Sequence, residues 1–222
     1  RMNAQVRGMN VAIRNANDAI SLSQTAEGAL GKVGDMLQRM RELAVQSANA
    51  TNGTSDRANL NAEYQALGTE VVRTLANTKF NGLAILGANA GTLSFQVGAN
   101  AGETVDVVTT RLDTAGSITG ATGGAITDAT LAGTAMTNID TALTAVNGER
   151  ALYGATQNRF DAIIGTLQVA AENQAAAKSR ITDADFAAET ANLSRAQILQ
   201  QAGSAMVAQA NQLPQAVLAL LR

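Results

Sequence analysis

Apolar residues recur at alternating three- and four-residue intervals through most of the chain. Val6, Met9, Ile13, Ala16 and Ile20 begin the pattern, and Ala26, Leu30, Val33, Leu37, Met40 and Ala44 continue it. Such positions share one face of an α-helix, so the spacing predicts a helix over about 3–48, roughly 65 Å long at 1.5 Å per residue. The pattern stops at Asn49-Ala50-Thr51-Asn52-Gly53-Thr54-Ser55, a cluster of turn formers. Leu60, Tyr64, Leu67, Val71 and Leu75 then mark the inner face of a second helix over about 56–77. Ser55 is placed to cap it, and Asp56 in its first turn suits the helix dipole. So short a connection favours an antiparallel hairpin.

From Phe80 the period changes. Phe80-Asn81-Gly82 is a turn signal, and Thr92 to Val97 and Thr104 to Val107 alternate with period two. The segment over about 80–112 therefore reads as a small antiparallel β element. Residues 113–133 are rich in Gly, Thr and Ala with little periodic content, and read as a loop or a much reduced insertion. Helical spacing returns through Ile139, Leu143, Val146, Tyr153, Phe160, Ile164 and Leu167. Arg150 and Gln157 take two seam positions, where polar residues set register at some cost in stability. Ile181 to Asp185 reads as a break and a new cap, and a last stripe runs through Leu199, Gly203, Met206, Ala210, Leu213, Val217 and Leu220. The expected fold is mainly α: a long antiparallel helical rod of coiled-coil type with a small β-hairpin element. Periodicity alone suits a monomeric bundle and a self-assembling rod equally.

Composition narrows the chemistry. Of 222 residues 46% are hydrophobic, but only 3% are aromatic and 15% charged. Alanine supplies roughly a fifth of the chain, well above ordinary usage, so the core has to come from repeated contacts along helices. There is no Cys, His or Trp, and the one proline is Pro214, which as a helix residue would weaken or kink the last stripe. Disulfides, thiol nucleophiles, Ser-His-Asp triads and HExxH zinc sites are excluded. Asp183 with Asp185 and Asp140 with Glu149 are the remaining acid pairs, and capping is the simpler account of the first. A net charge of -2 gives no basic footprint for nucleic acid. No apolar run is long enough for membrane insertion. Catalysis, a cofactor and a metal are not expected.

Several long motifs are similar to bacterial flagellin. They are Gln38 to Gly53, Thr78-Lys79-Phe80-Asn81-Gly82, Phe95 to Thr104, and Ser194 to Arg222 with its terminal Leu-Leu-Arg. The resemblance covers nearly the whole chain outside 113–133, in the family's order. It implies a structural subunit that polymerises with other flagellin subunits into the extracellular filament used for motility. On the family's plan residues 1–112 are the N-terminal half of the rod domain and 134–182 its C-terminal helix. Residues 113–133 stand where variable outer domains are inserted, and 183–222 match the C-terminal half of the inner terminal domain. Family members carry about fifty further N-terminal residues, so the expectation is a chain that begins in mid-rod.

The resemblance also implies partners. In flagellins recognised by Toll-like receptor 5, an arginine and a leucine on the first rod helix and a glutamate on the next form the main contact, and these match Arg39, Leu43 and Glu63, beside Gln38. Ile139, Leu143 and Arg159 match further implicated positions. Read without the family, this stretch is a solvated face with one i,i+3 pair, Arg39 and Glu42, worth a few tenths of a kcal/mol. The C-terminal stripe (Leu199, Met206, Leu213, Val217, Leu220 and Leu221) matches the segment that flagellins use in assembly and present to their export chaperone.

Overall fold

A computed structural model describes residues 1–183 and 185–220, with side chains described as far as 210. The elements in chain order are α1 (Met2–Ala48), α2 (Thr54–Asn77), β1 (Lys79–Phe80), β2 (Leu83–Ala84), β3 (Thr92–Gln96), β4 (Thr104–Val108), α3 (Gly116–Thr122), α4 (Ala129–Thr182) and α5 (Phe186–Leu220). The chain divides into two compact units, the first Arg1–Ala175 and the second beginning at Ala176.

In the first unit α1 packs against α2 and, in antiparallel sense, against α4. The seam of α1 is Met9, Ala12, Ala16, Ala19, Leu22, Ala26, Leu30, Val33, Leu37, Met40 and Ala44, all buried. Near its start the buried line differs from the expected one: Ala12 and Ala19 are buried, whereas Ile13 and Ile20 lie half-buried beside them. Alanines on the contact line let neighbouring backbones approach closely, and the larger isoleucines cover the flanks. On α4 the buried residues Ala132, Ile139, Val146, Tyr153 and Phe160 recur at every seventh position, the signature of a helix kept in register with its neighbours. Arg150 Nη2 lies 3.9 Å from Glu27 Oε1, and Gln157 Nε2 donates to Glu27 Oε2 at 2.9 Å. Both polar seam residues of α4 thus meet one carboxylate on α1.

Local sequence explains the element boundaries. The turn after α1 ends at Gly53, whose N–H donates to Asp56 Oδ2 at 3.1 Å. Asp56 therefore secures the start of α2, and Ser55, expected as the cap, lies one residue inside the helix. In the second unit Asp185 Oδ1 accepts from the N–H groups of Ala187 and Ala188, at 3.0 and 3.2 Å. That carboxylate caps α5. The helix continues past Pro214 to Leu220, and the effect of Pro214 on its packing lies outside the described residues.

Two small hairpins lean on the helices. β1 and β2 pair Lys79 with Ala84 and Phe80 with Leu83 around Asn81 and Gly82, whose φ values are 48° and 82°. Two consecutive positive φ values make a turn whose twist matches a hairpin, and Asn-Gly is the pair that adopts it most readily. β3 and β4 pair from Thr92–Val108 to Gln96–Thr104. Val105 and Val107 of β4 point inward while Thr104, Asp106 and Val108 face solvent. Phe95 of β3 meets Phe160 of α4 edge to face, with ring centroids 5.9 Å apart, and Asn15 of α1 donates to the Gln96 carbonyl at 3.0 Å.

The segment 113–133 is not a loop. It contains α3 and the first turn of α4, and it buries Ile118, Ala121, Thr122, Ile126 and Ala132. Side chains of the surrounding helices satisfy its backbone. Tyr64 donates to the Ala121 carbonyl, Gln65 to Gly124, Ser47 to Ile126 and Asn138 to Gly120, while Asn61 Oδ1 accepts from the Ile126 N–H at 2.9 Å. Seven residues rich in Gly and Thr have little intrinsic helicity, and this helix owes its existence to tertiary packing. α2 approaches so closely that a Cβ on Gly68 would sit 2.9 Å from the Thr122 carbonyl oxygen.

The sign of a glycine substitution tests this docking. A Cβ on Gly148 of α4 would have nothing within 4 Å, so Gly148→Ala should stabilise by up to about 1 kcal/mol through helix propensity. Gly68→Ala should instead destabilise by about 1–3 kcal/mol, because it overpacks a filled contact. Urea unfolding followed by helical circular dichroism separates the two, and stabilisation at both positions would show that 113–128 is not packed on α2.

Candidate functional site

Where α1 passes α2 and α4 near its C-terminal end, side chains from three helices meet at the surface. Seam packing turns Leu37, Met40, Leu43 and Ala44 inward, and the same helical geometry turns Gln38, Arg39, Arg41, Glu42 and Val45 outward. Arg39 Nε donates to Glu63 Oε1 of α2 at 2.9 Å, and its Nη1 donates to Glu42 Oε2 at 3.0 Å. The guanidinium is held above its ordinary pKa, first by the Glu42 hydrogen bond and then by Glu63. Arg41 makes a two-pronged contact with Asp140 of α4, Nε to Oδ1 at 2.7 Å and Nη2 to Oδ2 at 3.3 Å. That bond lowers the Asp140 pKa. The pair's contribution is therefore complete above the ordinary aspartate range and is lost as pH falls through the lowered value. A shallow groove of about 460 Å³ runs between Gln38, Arg41, Glu42, Val45 and Gln46.

The seven residues expected at a receptor surface separate into two sets. Gln38, Arg39, Glu63 and Arg159 are exposed. Leu43 and Ile139 are 1% and 0% exposed and Leu143 is half-buried, so in this fold Leu43 fills the chain's own core and not a partner's pocket. The physical reason is the width of the seam: Leu43 follows Met40 by three positions and so falls on its inner edge. Val45, 49% exposed, is the apolar side chain that does stand beside Arg41 and Glu42. Arg159 lies twenty residues along α4 from Ile139, roughly 30 Å at the helical rise, so it belongs to another level of the rod. The Arg41–Asp140 pair was not anticipated, because residues 99 apart on different helices carry no local signature.

Among the described residues, the buried polar groups do not assemble into a reactive constellation. Burial raises the Tyr64 phenol to about 12, and Tyr64 donates to the Ala121 carbonyl. Tyr153 is raised as well, by burial first and then by Glu149. Nor does any group of three or more His, Cys, Asp or Glu converge as a metal site among those residues. None of the described helices is long and apolar enough to cross a membrane.

The second candidate surface is α5. Leu199 and Met206 of the expected stripe are 65% and 71% exposed, and Leu193, Ile198 and Val207 also stand out from the helix. Leu213, Val217 and Leu220 have side chains outside the described residues, and Leu221 lies outside them altogether.

Long packed helices with small-residue seams and two small antiparallel hairpins define a mainly α-helical, rod-type protein. Comparison with known proteins makes the class specific. Residues 1–90 match the bacterial flagellin N-terminal helical region and 136–221 the bacterial flagellin C-terminal helical region. A flagellin of Halalkalibacterium halodurans is 49% identical over the whole chain, which spans 82% of that relative. Flagellin FlaB2 of Treponema pallidum is 39% identical, again over the whole chain and 82% of the relative. A crystal structure of Bacillus cereus flagellin superposes with a TM-score of 0.62 at 34% identity, covering 74% of this chain and 94% of that one. The chain belongs to the bacterial flagellin family. It is a structural subunit of the extracellular flagellar filament, associates with other flagellin subunits, and is not an enzyme.

Surface pairs and core residues at this level should separate in stability measurements. A double-mutant cycle on Arg39 and Glu63 should return only a small coupling, as for exposed ion pairs. Leu43→Ala should cost about 2–5 kcal/mol, as expected for a buried leucine. Chemical unfolding of the four variants reads both, and a Leu43→Ala cost no larger than the Arg39–Glu63 coupling would refute the burial of Leu43.

Proposed function

We propose that this filament subunit also carries the surface by which host Toll-like receptor 5 recognises flagellins, centred on Arg39 and Glu63. The observation that supports this is the inter-helix hydrogen bond between them. It holds a guanidinium and a carboxylate at fixed positions on adjacent helices while leaving both exposed. A pre-set pair of opposite charges orients a partner at low entropic cost. Gln38 and the neighbouring Val45 complete the patch. Leu43, Ile139 and Leu143 act through packing, by holding α1, α2 and α4 at the spacing that presents it. Arg159 lies at a separate level, where a receptor extended along the rod would reach it.

The apolar stripe that is exposed on α5 at Leu199 and Met206, and that the sequence continues through Leu213, Val217, Leu220 and Leu221, is the segment we assign to the export chaperone before secretion and to neighbouring subunits in the filament. An amphipathic helix with an uncovered apolar face suits a hydrophobic groove. On this reading 1–112 and 134–182 form the rod domain, 113–133 the reduced insertion, and 183–222 part of the inner domain.

The Arg39→Ala, Glu63→Ala double variant should lower receptor signalling by roughly tenfold or more, as truncation of a binding hot spot does. Its unfolding midpoint should stay close to that of the parent, because the pair adds little stability. A reporter assay in receptor-expressing cells, run beside circular dichroism, reads both quantities. Unchanged potency in the folded variant rejects the receptor assignment and leaves the filament role untouched.

A further inference from the structure

The chain contains three Asn-Gly dipeptides: Asn52-Gly53, Asn81-Gly82 and Asn147-Gly148. In this dipeptide the glycine amide nitrogen can attack the asparagine side-chain carbonyl carbon, since glycine has no Cβ to obstruct the approach. Whether it does so depends on what holds the two groups. In Asn52-Gly53 both are engaged: the Asn52 carboxamide donates to the Gln46 carbonyl, and the Gly53 N–H donates to Asp56 Oδ2. Asn147 and Gly148 lie in the middle of α4, where the Gly148 N–H belongs to the helical hydrogen-bond ladder. Asn81 and Gly82 are exposed at the tip of the β1–β2 hairpin, and a Cβ on Gly82 would have nothing within 4 Å. Among the described residues neither the Asn81 carboxamide nor the Gly82 N–H is tied down in the manner of Asn52 and Gly53. β1 and β2 contribute two residues each, so little structure resists an opening of the tip.

We infer that Asn81 is a site of spontaneous deamidation, the position at which the folded subunit ages chemically. The Gly82 nitrogen bonds to the Asn81 side-chain carbonyl carbon while the bond from that carbon to the amide nitrogen breaks. Ammonia leaves with the former Gly82 amide proton, and a five-membered cyclic imide remains. Water then adds to one of the two imide carbonyls. Opening at the side-chain carbonyl gives aspartate, and opening at the main-chain carbonyl gives isoaspartate. No oxidant or enzyme is needed.

The products have structural consequences here. The tip borders a groove of about 610 Å³ whose walls include Asp18, Leu22, Phe80, Leu83 and Phe95. Aspartate at 81 adds a second carboxylate to a groove that already holds that of Asp18. Isoaspartate adds a carbon to the backbone of a two-residue turn, which cannot absorb it while keeping Phe80 opposite Leu83. Either product loosens the hairpin on α1.

The test is to incubate the 222-residue chain at mildly alkaline pH below its unfolding temperature. Peptide mapping and labelling by isoaspartyl methyltransferase then follow each Asn-Gly pair. Conversion at Asn81 should run about tenfold or more ahead of Asn147 and ahead of Asn52, in line with their different freedom to open locally. Asn81→Gly should abolish the early methyl acceptor while keeping the positive φ of the turn. Asp56→Ala, which releases the Gly53 N–H, should accelerate Asn52 and leave Asn81 unchanged. Conversion at Asn52 as fast as at Asn81 in the parent chain, or conversion at Asn81 no faster than at Asn147, would overturn the assignment.

Discussion

The seam of α1 is the constraint on which the first unit depends. A single run of buried side chains from Met9 to Ala44 faces α2 and β3, and α4 runs antiparallel beside it, bonded at Asp140, Gln157 and Gln174. Burying a leucine- or valine-sized side chain contributes about 1.5–3 kcal/mol, whereas an exposed ion pair contributes at most about 1. The seam therefore sets where the helices lie, and the polar groups take positions that the seam has already chosen. Arg39 reaches Glu63, and Arg41 reaches Asp140, because Leu37, Met40 and Leu43 beneath them hold three helices together. The hairpins follow the same order of causes. Phe95 and the buried valines of β4 attach to helices that are already packed, and a two-stranded ribbon would not persist without them.

The same logic separates what could be read from the sequence from what could not. α1, α2 and α4 are long and strongly periodic, and their apolar spacing located them. The paired positive φ values at Asn81 and Gly82 follow from a dipeptide with few alternative turns. Arg150 and Gln157 stood out as polar residues on an apolar line, and both meet Glu27. α3 was missed because its helicity resides in its neighbours: Tyr64, Gln65, Ser47, Asn61 and Asn138 satisfy its flanks, and none of them belongs to the segment. Leu43 was expected at a surface because the family resemblance put it there, whereas its three-residue step from Met40 places it on the inner face, where it is buried.

The candidate site was legible only in part. Exposure of Gln38, Arg39 and Glu63 follows from helical phase, and the Arg39–Glu42 pair follows from local spacing. The Arg39–Glu63 and Arg41–Asp140 bonds join residues whose proximity is a product of the tertiary fold. On α5 the apolar stripe was plain in the sequence. The described residues of that helix expose Leu199 and Met206 and contain no covering partner within their own unit.

Glu27 shows why an apolar seam tolerates a polar interruption. Uniform rows of alanine, leucine and valine would pack almost as well after α4 slid by one helical turn, since the row repeats. A carboxylate that meets Arg150 and Gln157, one heptad apart on α4, has both partners in one register only. Sliding would leave a half-buried charge facing apolar side chains, and an unpaired group of that kind costs more than the pair contributes when formed. The interruption thus adds little to the depth of the native state and more to its separation from shifted alternatives, the use of polar seam residues that is best attested in coiled coils. A subunit that must repeat one geometry along a filament depends on that separation, because an error of register in one rod is passed to every contact built on it.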